Sequence, residues 1–324
     1  MRGELNRFIL ILAAIMLCTS CGKDKENFIG IEDISFENYP KLDGSTSARA
    51  LNQMIACKLL GIRYEYPVPY MGSEYVLGIN EEDIPEKYMD FFYNRVKTSQ
   101  THGAFMNLIN GEVDIILTHR TISPDEKAHA NDVGVTLIET PIASDAFVFV
   151  VNKNNPVKSL SVTQIQKIYT REITNWSQVG VNIEQDVIMP FTRPSNSGSE
   201  EVFKTLVMSG LELAGDIPET SFEIVGMYDV FQYVSGYEAA ICYTFNNYKD
   251  MQARMPDSEV PKIAINGIFP DKNTVKNRTY PFIAEVHVAI RSDLDHHSMA
   301  YKLYEWLQSE NAKSTIVECG FIPK

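Results

Sequence analysis

Four times along this chain a cluster rich in hydroxyls or glycine opens onto a helical apolar pattern. The clusters centre on residues 44–47, 98–102, 118–120 and 193–199. A helix start leaves backbone N–H groups unpaired and carries the positive end of the helix dipole. Several such starts brought together make a site for a small anion, with no metal required. The fourth copy is the richest. Residues 192–203 read TRPSNSGSEEVF, and Arg193 adds a fixed cation to the hydroxyls of Ser197 and Ser199. Ser197 and Glu200 have the spacing of a capping box, and Val202, Phe203, Leu206 and Val207 continue the helical pattern. An ordinary capped helix beside a surface arginine would read the same way; the recurrence is what favours an oxyanion.

The other copies vary the theme. Asp43-Gly44-Ser45-Thr46-Ser47 precedes a helix through Ala50, Leu51, Met54, Ile55 and Leu59 that stops at Gly61. Thr101, His102 and Gly103 precede Ala104, Phe105, Leu108 and Ile109, and Asn110-Gly111 closes that pattern. The buried strand at 113–117 ends in Thr118-His119-Arg120, and the ligand of an open α/β sheet lies beyond such carboxyl ends. Arg120 is a second candidate cation, or one half of a structural ion pair.

Residues 137–151 form a long strand pattern with a polar break at Ala143-Ser144-Asp145, suited to a segment that crosses between lobes. Further strands are expected at 187–192, 239–244 and 285–290, and helices at 161–169, 228–234 and 299–307. Residues 62–97 read as loops with short strands or a helix, residues 249–279 as polar loop, and Trp176 as a packing residue.

With 324 residues, 44% of them hydrophobic, the chain is long enough for two lobes. Its net charge of −13 comes with no basic tract, which argues against nucleic acid as a partner. Arg2 and Arg7 flank a short basic n-region, and the apolar run at 8–17 that follows ends in Leu17-Cys18-Thr19-Ser20-Cys21. That is the layout of a signal peptide over 1–20, and its end resembles a bacterial lipobox. Cys21 is then the lipidated N-terminus and 21–37 a tether; a plain secretory signal is the alternative. Cys57, Cys242 and Cys319 suit neither a zinc site nor a disulfide framework, and at most one bridge is expected. No G-x-S-x-G elbow, H-E-x-x-H or zinc spacing is present, so an enzyme would have to rest on His102 and His119 as an acid–base or metal pair.

The order of DGSTSA, GEVDIILTHR, IASDAFVFVVN, EITNWSQVG, RPSNSGSEEVF, YEAAICYT and YPFIAEVHVAI resembles the substrate-binding proteins of phosphate ABC importers, over residues 39–323. ITNW, R-x-x-x-S-G-S and YPFIAEVHVAI are the most specific parts. The resemblance implies an α/β, two-lobed periplasmic-binding-protein fold of type II. Each lobe would be a mixed sheet flanked by helices, with the ligand in the cleft between them. Lobe I would comprise 38–142 and 281–324, and lobe II 143–280. Carried over by position, Ser45 and Thr46 supply hydroxyl and N–H donors. Arg193 is the charged clamp, and Ser197, Gly198 and Ser199 cradle oxygens. Thr118 falls where the family has a ligand serine.

The implied partners are inorganic phosphate or a related oxyanion, an ABC permease with its ATPase, and a membrane reached through the lipid anchor. The chain would be a monomer in the cell envelope, without cofactor, metal or catalytic residues. An oxyanion sensor or scavenger lipoprotein lacking a permease is the alternative, with a metal-assisted hydrolase behind it.

Two positions depart from the family pattern. His119 stands where the family has a carboxylate or serine, and Ser195 where it often has an acid. Asp43 is then a candidate acceptor for the ligand's own proton, with His102, His119 and Arg120 as candidates around the site. Glu200 and Glu201 are expected to point away from the cleft along the helix. The Thr101-His102 pair resembles a looser branch of the same superfamily, with an unnamed ligand.

Overall fold

In a computed structural model of the chain, the residues described are 28–70, 74–195, 197–220 and 226–324. The signal segment, Cys21 and the tether up to residue 27 lie outside them. The strands are β1 (Leu42–Gly44), β2 (Tyr64–Tyr70), β3 (Glu74–Ile79), β4 (Ile115–Thr118), β5 (Leu137–Val151), β6 (Ser159–Leu160), β7 (Met189–Pro190), β8 (Ala240–Phe245), β9 (Ala264–Ile265), β10 (Ile283–Arg291) and β11 (Ile322–Pro323). The α-helices are α1 (Arg49–Leu60), α2 (Phe91–Asn94), α3 (Gln100–Ile109), α4 (Pro124–Asp132), α5 (Val162–Tyr169), α6 (Gly198–Val202), α7 (Asp229–Gly236), α8 (Lys272–Lys276), α9 (Met299–Leu307) and α10 (Glu310–Glu318).

β5 organises the rest. Its aromatic and β-branched run, Phe147-Val148-Phe149-Val150-Val151, is fully buried, as a strand covered on both faces must be. Up to Ala146 it pairs antiparallel with β10; from Phe147 onward it pairs antiparallel with β8. The strand order is β1-β4-β10-β5-β8-β7, with β1 parallel to β4, β7 parallel to β8, and β11 alongside β5. The two lobes therefore share one strand, and the change of partner falls next to the polar break seen in the sequence.

Two large cores follow from this, beside a smaller cluster around Phe105 and Leu108. One gathers Tyr39, Leu51, Met54, Ile115, Leu117, Val286, Val288, Leu303 and Phe321. The other gathers Phe147, Phe149, Tyr169, Trp176, Phe203, Phe231, Tyr243 and Tyr280. Ala143 belongs to the first and Ala146 to the second, while Val286 belongs to the first and Ala284 to the second. The molecule thus consists of two α/β lobes that change over within β5 and again within β10. Trp176 is a packing residue, buried with its Nε1 donating to the Ala239 carbonyl at 3.1 Å.

α1 runs as its apolar spacing requires and ends at Gly61 in the left-handed region (φ 71), where its N–H reaches the Cys57 carbonyl. α9 matches its amphipathic stretch, but α10, a separate helix capped by Ser309, was not anticipated. Residues 62–97 hold the β2–β3 hairpin, and residues 249–279 hold part of a π-helix (Tyr248–Gln252), β9 and α8. The expected strand at 187–192 contracts to Met189–Pro190. Cys57, Cys242 and Cys319 are free and buried, and burial pushes the thiols of Cys57 and Cys242 up to about 12.

Candidate functional site

The lobes meet along a seam built from the clusters read in the sequence. α3 of the first lobe starts where α6 of the second starts. A side chain added at Gly198 would run into Thr101, so the glycine is required by this approach. Beside it, the Gln252 amide donates to the Ser47 carbonyl at 2.8 Å, and the His119 ring lies 4.4 Å from that of Phe245. The Tyr248 hydroxyl donates to Glu74, and Arg254 stacks over Tyr75 at 4.9 Å. The β2–β3 hairpin thus reaches across from the first lobe to the second.

Arg193 sits on the second-lobe side and is 4% exposed. One terminal nitrogen donates to Thr220 Oγ1 at 3.0 Å and to the Gly226 carbonyl at 2.8 Å, and its Nε has no partner. Among the described residues no carboxylate pairs with the guanidinium. A buried cation held by neutral oxygens, as this one is among the described residues, keeps its charge available for an anion.

Ser197 caps α6, its Oγ accepting from the Glu200 N–H at 3.1 Å, and lies 3.4 Å from the Ser199 hydroxyl. Only half of the capping box forms. The Glu200 carboxylate turns back into the protein and accepts the Arg193 N–H at 3.1 Å and the Tyr243 hydroxyl. This corrects the expectation that Glu200 points away: a buried carboxylate must find donors, and these two lie behind the loop. Burial raises the Glu200 pKa above its ordinary 4.5. Glu201 instead lines a cavity of about 170 Å³ together with His102, Arg120, Ser195 and Lys204. Beyond Val202 the helix widens into a π-helix, Phe203–Met208, which places Phe203 flat against Tyr243 with ring centres 4.2 Å apart.

On the first-lobe side β1 delivers Ser45 and Thr46. Gly44 is pressed against the Leu117 carbonyl and Asn52, leaving no room for a Cβ. Ser45 N–H donates to the Leu117 carbonyl at 3.0 Å, so its hydroxyl is placed at the sheet's end. Thr46 is half-buried at the start of a 3-10 turn that leads into α1.

Asp43 faces away from a ligand-acceptor role. Its Oδ1 accepts from Gly44 and Ser99 N–H and its Oδ2 from Asn107, tying β1 to the start of α3. Thr118 is fully buried and its hydroxyl donates to the Arg120 carbonyl at 2.7 Å. Arg120 is the structural alternative foreseen for it. Both terminal nitrogens grip Glu126 at 2.7 Å, and Phe105 lies 5.0 Å beneath. His102 joins the same carboxylate at 3.0 Å, whereas His119 bonds Ser47 at 2.7 Å. The two histidines therefore serve different clusters and make no acid–base pair with each other.

A family model described as a PBP superfamily domain matches residues 82–311, more than two thirds of the chain. The chain belongs to the PBP superfamily. Among curated relatives, Protein SphX of Synechococcus elongatus is 26% identical over 233 residues, 70% of this chain and 68% of that protein. Phosphate-binding protein PstS of Bacillus subtilis is 26% identical over 188 residues, 58% of each. The chain thus spans little more than half the length of that PstS. A Clostridium perfringens protein solved with bound phosphate superposes with a TM-score of 0.60 at 21% identity, covering 90% of this chain and 99% of that one. An ABC-type phosphate transport receptor from Vibrio cholerae gives 0.59 at 23%, covering 87% and 98%. At these identities the likeness establishes the PBP fold, and the PstS relative is named as a phosphate-binding protein.

Sequence reasoning did not assign ligand-site roles to Ser47, Tyr243 or Gln252. Ser47 stood inside the quoted cluster. Tyr243 could have been found as the inward residue between Ile241 and Phe245 on β8, opposite the apolar face of the Gly198 helix.

Proposed function

We propose that this protein captures phosphate, or a similar tetrahedral oxyanion, in the seam between its lobes and presents it to an ABC importer. The reading takes residues 38–142 with 281–324 as one lobe and 143–280 as the other. Ser45, Thr46, Thr118, Arg193, Ser197, Gly198 and Ser199 form the ligand set. One observation carries it: the Arg193 guanidinium is buried without a carboxylate among the described residues, beside a hydroxyl-capped helix start. Charged hydrogen bonds to that guanidinium, with serine hydroxyls and N–H groups at the α6 start, match an oxyanion's ring of acceptors. The name of the PstS relative supplies the choice of phosphate. Thr118 would have to turn its hydroxyl away from Arg120 to donate, or else accept from the ligand.

The lipid anchor belongs to the same proposal. Cys21 follows an apolar run and a small residue, and the polar tether after it would hold the two lobes off the membrane. Loss of labelled fatty-acid incorporation on Cys21→Ser tests that part alone.

Binding to the folded state alone raises stability by about 2.7 kcal/mol at roughly a hundred times Kd. Inorganic phosphate should therefore raise the unfolding temperature of the wild-type protein and fail to do so in Arg193→Ala. Equal shifts in both would remove Arg193 from the site.

A further inference from the structure

A pocket that only donates hydrogen bonds accepts sulfate as readily as phosphate; rejecting sulfate takes one group that accepts the proton phosphate still carries. The carboxylates closest in the chain to Ser45 and Ser199 do not offer it. Asp43 is occupied by Gly44, Ser99 and Asn107, and Glu200 by Arg193 N–H and Tyr243. A chain of hydroxyls leads elsewhere. Ser45 Oγ lies 3.1 Å from Ser47 Oγ, which lies 2.7 Å from His119 Nδ1. His119 is 2% exposed. Its ring packs against Phe245 and Phe321, with centres 4.4 and 5.4 Å away, and turning it over would put a C–H where Nδ1 now meets Ser47. Nε2 has no hydrogen-bond partner and lies 3.7 Å from Asp145 Oδ2.

In the neutral ring the single proton sits on the nitrogen facing the carboxylate, Nε2, and Nδ1 is then a bare acceptor. The Ser47 proton is then committed to Nδ1. The Ser45 proton is committed in turn to Ser47 Oγ. Ser45 Oγ is left with lone pairs only on its remaining side. We propose that His119, acting through Ser47, is the positioning residue that fixes the Ser45 hydroxyl as acceptor for the ligand's own O–H, so that protonated oxyanions are chosen over fully ionised ones. The inference rests on the oxyanion site proposed above and adds what that site discriminates.

The test is a calorimetric comparison of inorganic phosphate with sulfate at neutral pH on the refolded wild type, His119→Phe and Ser47→Ala. The phenyl ring suits the aromatic surroundings of position 119 and removes the Nδ1 acceptor. Ser47 then turns its proton to Ser45, and Ser45 turns its own to the ligand. In Ser47→Ala, Ser45 loses its acceptor directly, and this variant carries the test if the first fails to fold. Wild type should prefer phosphate, and either folded variant should lower the phosphate-to-sulfate affinity ratio by about tenfold, one hydrogen bond's worth. Phosphate binding with an unchanged ratio in a folded variant overturns the relay and leaves the oxyanion site standing. Equal wild-type affinity for the two anions overturns the relay as well. Wild type that binds neither anion overturns the site itself, and the relay with it.

Discussion

Thr101 occupies the space that a side chain at Gly198 would need. The two residues belong to helix starts of different lobes, so their contact exists only when the lobes are together. Gly198→Ala should therefore leave each lobe's core intact and hold the cleft ajar. Overpacking of this kind costs roughly 1–3 kcal/mol. Here it should appear as weaker phosphate binding and a larger radius of gyration in phosphate, measured by small-angle scattering, with the unfolding temperature little changed.

Arg193→Ala removes the buried guanidinium from beside the Ser197 cap. Charged hydrogen bonds contribute about 1.5–3 kcal/mol, so phosphate binding should weaken by at least about 2 kcal/mol with the fold kept. Ser199→Ala removes one neutral donor and should cost about 1 kcal/mol of binding. Isothermal titration of both variants checks the order of the two effects.

Arg120→Ala should behave in the opposite way. Its partner Glu126 is fully buried and would keep only His102 and the Ser123 N–H among the described residues, a loss of up to about 3–5 kcal/mol of stability. Anion affinity of whatever remains folded should change little. Chemical denaturation and titration of the same preparation separate the two roles.

Glu200 carries a pH signature. Burial raises its carboxyl pKa above the ordinary 4.5, so the folded state holds this proton more tightly than the unfolded state does. The stability tied to that proton is present below about 4.5 and is lost as pH rises through the raised folded value. Glu200→Gln keeps an oxygen for the Arg193 N–H and the Tyr243 hydroxyl but has no charge to bury. Its stability relative to wild type should grow as pH rises above about 4.5, and its phosphate affinity should rise as a negative charge leaves the site. A stability difference that is flat with pH would remove Glu200 from this account.

The fold was legible where the apolar pattern and its punctuation agreed. β5 occupies the whole pattern read at 137–151, and Gly61 and Gly111 end α1 and the α3 turn with positive φ as their positions require. The β2–β3 hairpin was not legible, because Pro67 and Pro69 interrupt any alternation and its stability comes from contacts such as Glu74 with Tyr248 across the lobes. At the seam, the residue types were readable but their directions were not. Glu200 and Thr118 turn inward because buried polar groups must find partners, and those partners, Tyr243 and the Arg120 carbonyl, are set by tertiary packing. Ser47 and His119 are 72 residues apart, and no local pattern joins them.

Phosphate binding in the seam around Arg193 is tested by calorimetric titration of the chain from Gly22 onward, unfolded and refolded to strip bound ligand, with phosphate and then sulfate. Saturable phosphate heat at a stoichiometry of one, with none for sulfate, is the predicted result. A protein that refolds fully and gives no phosphate heat would contradict it.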